Sequence, residues 1–65
     1  MLTIDKLRRL APRNIRVVDL KKHDDGSFEV RAVRLDAFGN AVREMRAIAQ
    51  TAIRTTQIVR SWGKA

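Results

Sequence analysis

The sequence predicts a small α+β domain with a short N-terminal helix, an antiparallel β-hairpin and a long C-terminal amphipathic helix, in the order α-β-β-α. Three observations predict it. A capped amphipathic stretch runs into Pro12. Two runs rich in β-branched residues flank Asp24-Asp25-Gly26-Ser27. The last third carries apolar residues at helical spacing. Sixty-five residues hold one domain, 1–65.

The first helix is expected over residues 3–11. Thr3 is a good N-cap, and Asp5 falls in the first turn, where a negative charge suits the helix dipole. Leu2 and Leu7 are spaced as a hydrophobic staple around that cap. Ile4, Leu7 and Ala11 share a face, with Leu10 beside them. Pro12 disfavours helical backbone at Ala11 and ends the element.

The hairpin is expected to pair 15–22 with 28–35. A three-residue loop, Asp24-Asp25-Gly26, fits a type I turn closed by a left-handed glycine. That register sets Lys22 against Phe28, Leu20 against Val30, Val18 against Ala32 and Arg16 against Arg34. On the other face it sets Lys21 against Glu29 and Asp19 against Arg31, both opposite charges, then Val17 against Val33 and Ile15 against Leu35. A two-residue loop puts Leu20 against Arg31 and Val17 against Arg34, so the longer loop is preferred. The open end of the hairpin is then apolar on both faces, which invites the first helix or a second copy of the chain.

The long helix is expected over 40–62, with Asn40 as its cap and Gly63 after its end. Val42, Met45, Ile48, Ala49, Ala52, Ile53, Thr56 and Val59 form its apolar stripe. Two alternatives stand beside it. The run Thr55-Thr56-Gln57-Ile58-Val59 has strand-like propensity, so the helix can end near Arg54 before a final strand. The run Leu35-Asp36-Ala37-Phe38-Gly39-Asn40-Ala41-Val42-Arg43-Glu44 resembles the strand–turn–strand signature of YD-type repeats over ten residues, without the tyrosine. That resemblance implies a third strand over 41–49. The alanine, methionine and arginine content there favours helix instead.

Charge is the outlying property. Fourteen Lys+Arg oppose seven Asp+Glu, a net +7, and ten of the fourteen are arginine. Arginine's planar fork of donors suits phosphate and carboxylate, so the expected partner is anionic. Nucleic acid is the leading candidate, and an acidic protein surface is the alternative. No apolar run reaches membrane-spanning length, and no signal-peptide pattern opens the chain, so a cytoplasmic location is expected. There is no cysteine and one histidine, His23, which rules out disulfides and thiolate metal sites; no cofactor or metal is expected. No nucleophile elbow, phosphate-binding glycine loop or zinc spacing is present. Ser27 and Ser61 have no base partner, and Asp24-Asp25-Gly26 is too short for a calcium loop. The expectation is a non-enzyme.

Within the expected long helix, Arg43, Arg46, Gln50, Arg54, Gln57 and Ser61 fall on one ridge with no acid between them. Arginine and glutamine contact phosphates and base edges, which makes this ridge the first candidate nucleic-acid surface. A solvated basic face gives the same pattern. Arg16 and Arg34, with Arg13, Arg8 and Arg9, form a second cluster at the open end of the hairpin. Opposed arginines need a counter-ion there, either a bound phosphate or Asp36. Phe28 is expected in the core and Phe38 under the start of the helix. For a protein-docking adaptor or inhibitor, a role also served by small basic chains of mobile elements, the candidate surface is Trp62 with Ile15, Val17, Val33 and Leu35. Membrane-surface association through the amphipathic helix ranks last, because its apolar face is rich in alanine. Self-association as a homodimer is an open route for so small a core.

Overall fold

The computed structural model describes residues 1–64. It is an α+β fold in the order α1 (Ile4–Leu10), β1 (Ile15–Lys22), β2 (Phe28–Leu35), β3 (Ala41–Ala49) and α2 (Ala52–Ser61). The strands form one antiparallel sheet, ordered β1-β2-β3. Both helices lie on the same face of it. Leu7 of α1 and Val59 of α2 are fully buried against Ile15, Val17, Val30 and Ala32. Among the described residues no helix is long and apolar enough to cross a membrane.

The first helix forms as its sequence dictates. Thr3 accepts a hydrogen bond from the Lys6 backbone N–H at 3.2 Å, and Leu2 and Ile4 pack against the core around Leu7. The Ala11 N–H closes the helix on the Leu7 carbonyl.

The hairpin turn also follows its sequence. Gly26 takes φ +89°, and its N–H donates to the His23 carbonyl. Asp25 Oδ1 accepts from both the backbone N–H and the hydroxyl of Ser27, at 2.9 and 2.6 Å. Near this turn the pairs are Lys22–Phe28, Lys21–Glu29, Leu20–Val30 and Asp19–Arg31, as expected.

Beyond Asp19 the expected register fails. A bulge at Val18 moves the pairing to Val17–Ala32, Arg16–Val33 and Ile15–Arg34. The bulge inserts one residue and swaps the two faces of the strand. Ile15 and Val17 thereby join Leu20 on the core face and are 5 % and 1 % exposed. Arg16 and Arg34 no longer oppose one another.

The largest correction concerns the last third. The long helix over 40–62 does not form. Residues Ala41–Ala49 are a strand, and the helix starts at Ala52, capped by Thr51, whose hydroxyl accepts from the Arg54 N–H at 3.0 Å. The final-strand alternative fails too, because 55–61 are helical. Asn40 belongs to a turn: Asp36 Oδ1 accepts from the N–H groups of Phe38 and Asn40, and Gly39 takes φ +82°. Phe38, expected under a helix, sits at the tip of that turn, 89 % exposed.

The physical reason is the free edge of β2. Helix preferences differ by less than about 1 kcal/mol per ordinary residue, and tertiary context overrides them. As a strand, 41–49 pairs with all eight residues of β2. Met45, Ala47 and Ala49 then turn to the helices, and the small alanines let α2 lie close. On α2, Thr55 and Val59 are buried, with Ala52 and Trp62 half-buried on the same side. The Thr55 hydroxyl is satisfied by donating to the Thr51 carbonyl at 2.8 Å.

Candidate nucleic-acid interface

The register sorts the chain into two ends. At one end lie the Asp24–Gly26 turn, the Phe28–Ala49 pair and the start of α1, where Met1 to Ile4 share a cavity with Lys22 and Phe28. At the other end lie Ile15, Leu35 and Ala41. Both helices finish at this second end. Asn14 Nδ2 donates to the Gly63 carbonyl at 3.2 Å, and a Cβ on Gly63 would overlap the ring of Pro12. Gly63 is therefore fixed by close approach. The molecule measures 38 × 19 × 18 Å. A nine-residue strand spans about 30 Å, so the long axis follows the strands.

Charge is unevenly spread along the same axis. It is mixed in sign at the turn end, where Lys21 and Lys22 lie among the acids, and mostly positive at the other, where Asp36 and Glu44 are the acids. Asp5, Asp24, Asp25 and Glu29 sit at or near the turn end. Glu29 holds an ion pair with Arg46 Nε at 2.7 Å and a hydrogen bond with His23 Nε2 at 2.9 Å. The His23 hydrogen bond, and then the nearby Arg46 charge, hold the Glu29 carboxyl below its ordinary range against an opposing desolvation effect. The Ser27 hydroxyl and N–H lower Asp25 likewise.

The second end carries Arg13, Arg16, Arg34 and Arg43, with Arg8, Arg9, Arg60 and Lys64 along the last turns of the helices and just beyond. The C-terminal dipoles of both helices point here and favour cations, which accounts for Arg8, Arg9 and Arg60. It does not account for the others. Arg34 and Arg43 are directly paired across β2 and β3. Opposed like charges destabilise a sheet. Among the described residues, neither has a carboxylate within ion-pair reach. The expected shield, Asp36, is committed by one oxygen to the backbone of its own turn.

Beside this pair, at the free edge of β1, Arg8, Arg13 and Arg16 line an open groove of about 430 Å³ with Ile15, Val17 and Leu35. Arg8 Nε donates to the Val17 carbonyl at 3.1 Å, so Arg8 also closes the strand edge at the bulge. Arg13 and Arg16 are exposed, and among the described residues they make no such bond.

The helical ridge therefore does not exist as one surface. Arg43 and Arg46 lie on β3, on opposite faces by strand alternation. Gln50 is in the β3–α2 junction, Arg54 is in the first turn of α2, and Gln57 is exposed midway along it. The structure brings Arg34 and Arg43 together and places Arg13 and Arg16 at the same end. It leaves Arg46, Gln50, Arg54 and Gln57 elsewhere. The Arg34–Arg43 pair was invisible without β3. The signal for it lay in the 35–44 strand–turn–strand run, which folds one arginine back onto the other.

The alternative docking surface dissolves in a similar way. Ile15 and Val17 are core residues, Val33 and Leu35 are half-buried, and Trp62 packs against the core. A different apolar surface replaces it. Leu2, Leu10, Ala52 and Ile53 line a groove between the helices, with Ile53 74 % exposed. Among the described residues no group of three or more His, Cys, Asp or Glu is placed to hold a metal ion. No family model matches the chain, and no curated protein or solved structure matches it either.

Proposed function

We propose that this protein is a non-enzymatic nucleic-acid-binding factor, accessory or regulatory in role, which engages the phosphate backbone with its cationic end. The Arg34–Arg43 pair carries the reading. Two arginines held face to face, with no carboxylate of the described residues in ion-pair reach, leave an electrostatic cost that a bound phosphate removes. Arg13 and Arg16 add positive charge at the same end, at the edge of β1, with Arg16 on the opposite face of the sheet from Arg34. At physiological ionic strength charges are screened within about 8 Å, so the carboxylates of the distant turn end do not neutralise it.

Backbone contact through arginine gives affinity with little sequence preference. The test is a salt titration of anisotropy with labelled duplex and single-stranded oligonucleotides. Four phosphate contacts give a log–log slope near −3.6 on duplex DNA, about a hundredfold loss between 50 and 200 mM salt. A flat salt response would sink the proposal. The exposed groove between the helices favours a second reading, an adaptor docking on protein. In that case Ile53→Ser removes partner binding and reversal of the arginines does not.

A further inference from the structure

We infer that β3 is a self-complementary edge and that two copies of the chain join through it into one continuous six-stranded sheet. The inference stands on the edge itself and is independent of the nucleic-acid reading.

The sheet has two outer edges, and they differ. β1 is bent by its bulge at Val18, which is 42 % exposed, and the Arg8 side chain covers the Val17 carbonyl. Charged residues Asp19, Lys21 and Lys22 fill its second half. Bulges and charges of this kind stop an edge from pairing. β3 is nine residues long, and among the described residues no backbone hydrogen bond from outside the sheet meets it from Arg43 onward. Its one irregularity lies at its start, where Val42 is extra between Ala41 and Arg43. Val42 and Ile48 are 60 % and 57 % exposed. A long edge that exposes apolar residues is a template for another strand.

The sequence of β3 selects the occupant. An antiparallel partner places residues on the same face opposite one another, so a two-fold axis normal to the sheet must pass through a residue. With the axis at Met45, Glu44 meets Arg46 of the second copy and Arg46 meets its Glu44. Arg43 meets Ala47, Met45 meets itself, and at either end Ile48 reaches Val42. One step toward the N-terminus opposes Glu44 to Glu44. One step the other way opposes Arg46 to Arg46 and sets Glu44 against Ile48. Only the Met45 axis pairs the charges, and opposite charges directly across strands are favourable. Arg46 holds Glu29 of its own chain through Nε, which leaves the terminal nitrogens of its fork for the second copy.

The test is the mass of nuclease-treated protein, stripped of nucleic acid in high salt and returned to low ionic strength, by light scattering and by sedimentation equilibrium, from micromolar to millimolar concentration. Wild type is expected to reach twice the 7.4 kDa chain mass. Glu44→Arg sets arginine against arginine twice in the dimer and should weaken association at least tenfold, with an unchanged far-UV spectrum. Arg46→Glu should do the same. The double variant Glu44→Arg with Arg46→Glu restores opposite charges across the axis and should recover the dimer. A wild type that stays monomeric throughout overturns the inference. So does a Glu44→Arg variant as dimeric as wild type, or a double variant no better than the single ones.

Discussion

The two ends of this sheet are built alike and charged differently. Each has a turn closed by a left-handed glycine, Gly26 or Gly39, and each turn is held by an aspartate oxygen taking two donors, from Asp25 or Asp36. At the Asp25 end the neighbouring charges are matched, and Glu29 gathers His23 and Arg46. At the Asp36 end Arg34 faces Arg43, and among the described residues Arg13 and Arg16 form no ion pair. Local turn chemistry therefore does not explain the charge. The fold tolerates the cations because both helix C-termini point toward them, and it leaves four arginines unaccounted for by that effect.

Reversing charge at one end at a time should separate the two ends most forcefully. Changing Arg13, Arg16, Arg34 and Arg43 together to glutamate should weaken oligonucleotide binding by more than about a hundredfold at moderate salt and remove most of the salt slope of about 3.6. Changing Lys21 and Lys22 to glutamate at the other end should cost less than about tenfold, through net charge alone. Equal losses from the two sets would mean that the chain binds by overall charge.

A middle-sized effect should come from Gly63→Val. The added side chain meets Pro12, so the C-terminal segment must lift from Asn14. Overpacking of this kind costs about 1–3 kcal/mol. Thermal unfolding should show that loss, and hydrogen exchange should place it at the cationic end. Exchange that rises equally at the Asp24–Gly26 turn would show that the ends do not open separately.

Relieving the opposed arginines gives a smaller and opposite effect. Arg43→Thr removes a like-charge pair and leaves a good strand residue. It should raise thermal stability at low salt by about 0.5 kcal/mol while weakening binding several-fold. A variant that gains stability and keeps full affinity would separate the strain from the site.

The smallest effect is the acid response. Asp25 and Glu29 are both held below their ordinary pKa in the folded chain. Their contribution to stability is complete above the unfolded carboxylate range. It is lost as pH falls through the lower folded values. The melting temperature should therefore hold from neutral pH down to about 5 and fall below about 4. Asp25→Asn and Glu29→Gln should each flatten that fall. Neither should alter oligonucleotide binding at neutral pH.

The elements of this chain differ in how far local sequence alone determines them. Thr3, Leu7 and Pro12 determined the first helix, because caps, staples and proline act within one turn of chain. Asp25, Gly26 and the Lys21–Glu29 and Asp19–Arg31 pairs determined the hairpin turn and its first four rungs. The sequence also set the net positive charge and its arginine bias. The bulge at Val18 was a tertiary decision. Only burial against Leu7 and Val59 makes it favourable to turn Ile15 and Val17 to the same face as Leu20. The fate of 41–49 was tertiary as well. Its alanines, Met45 and arginines suit a helix by propensity, and the unpaired edge of β2 outweighed that preference across a whole strand. The site followed from that decision. Arg34 and Arg43 are nine positions apart, and a helix would have parted them. The turn at Asp36 to Asn40 folds β3 back along β2, and that fold alone sets the two arginines face to face.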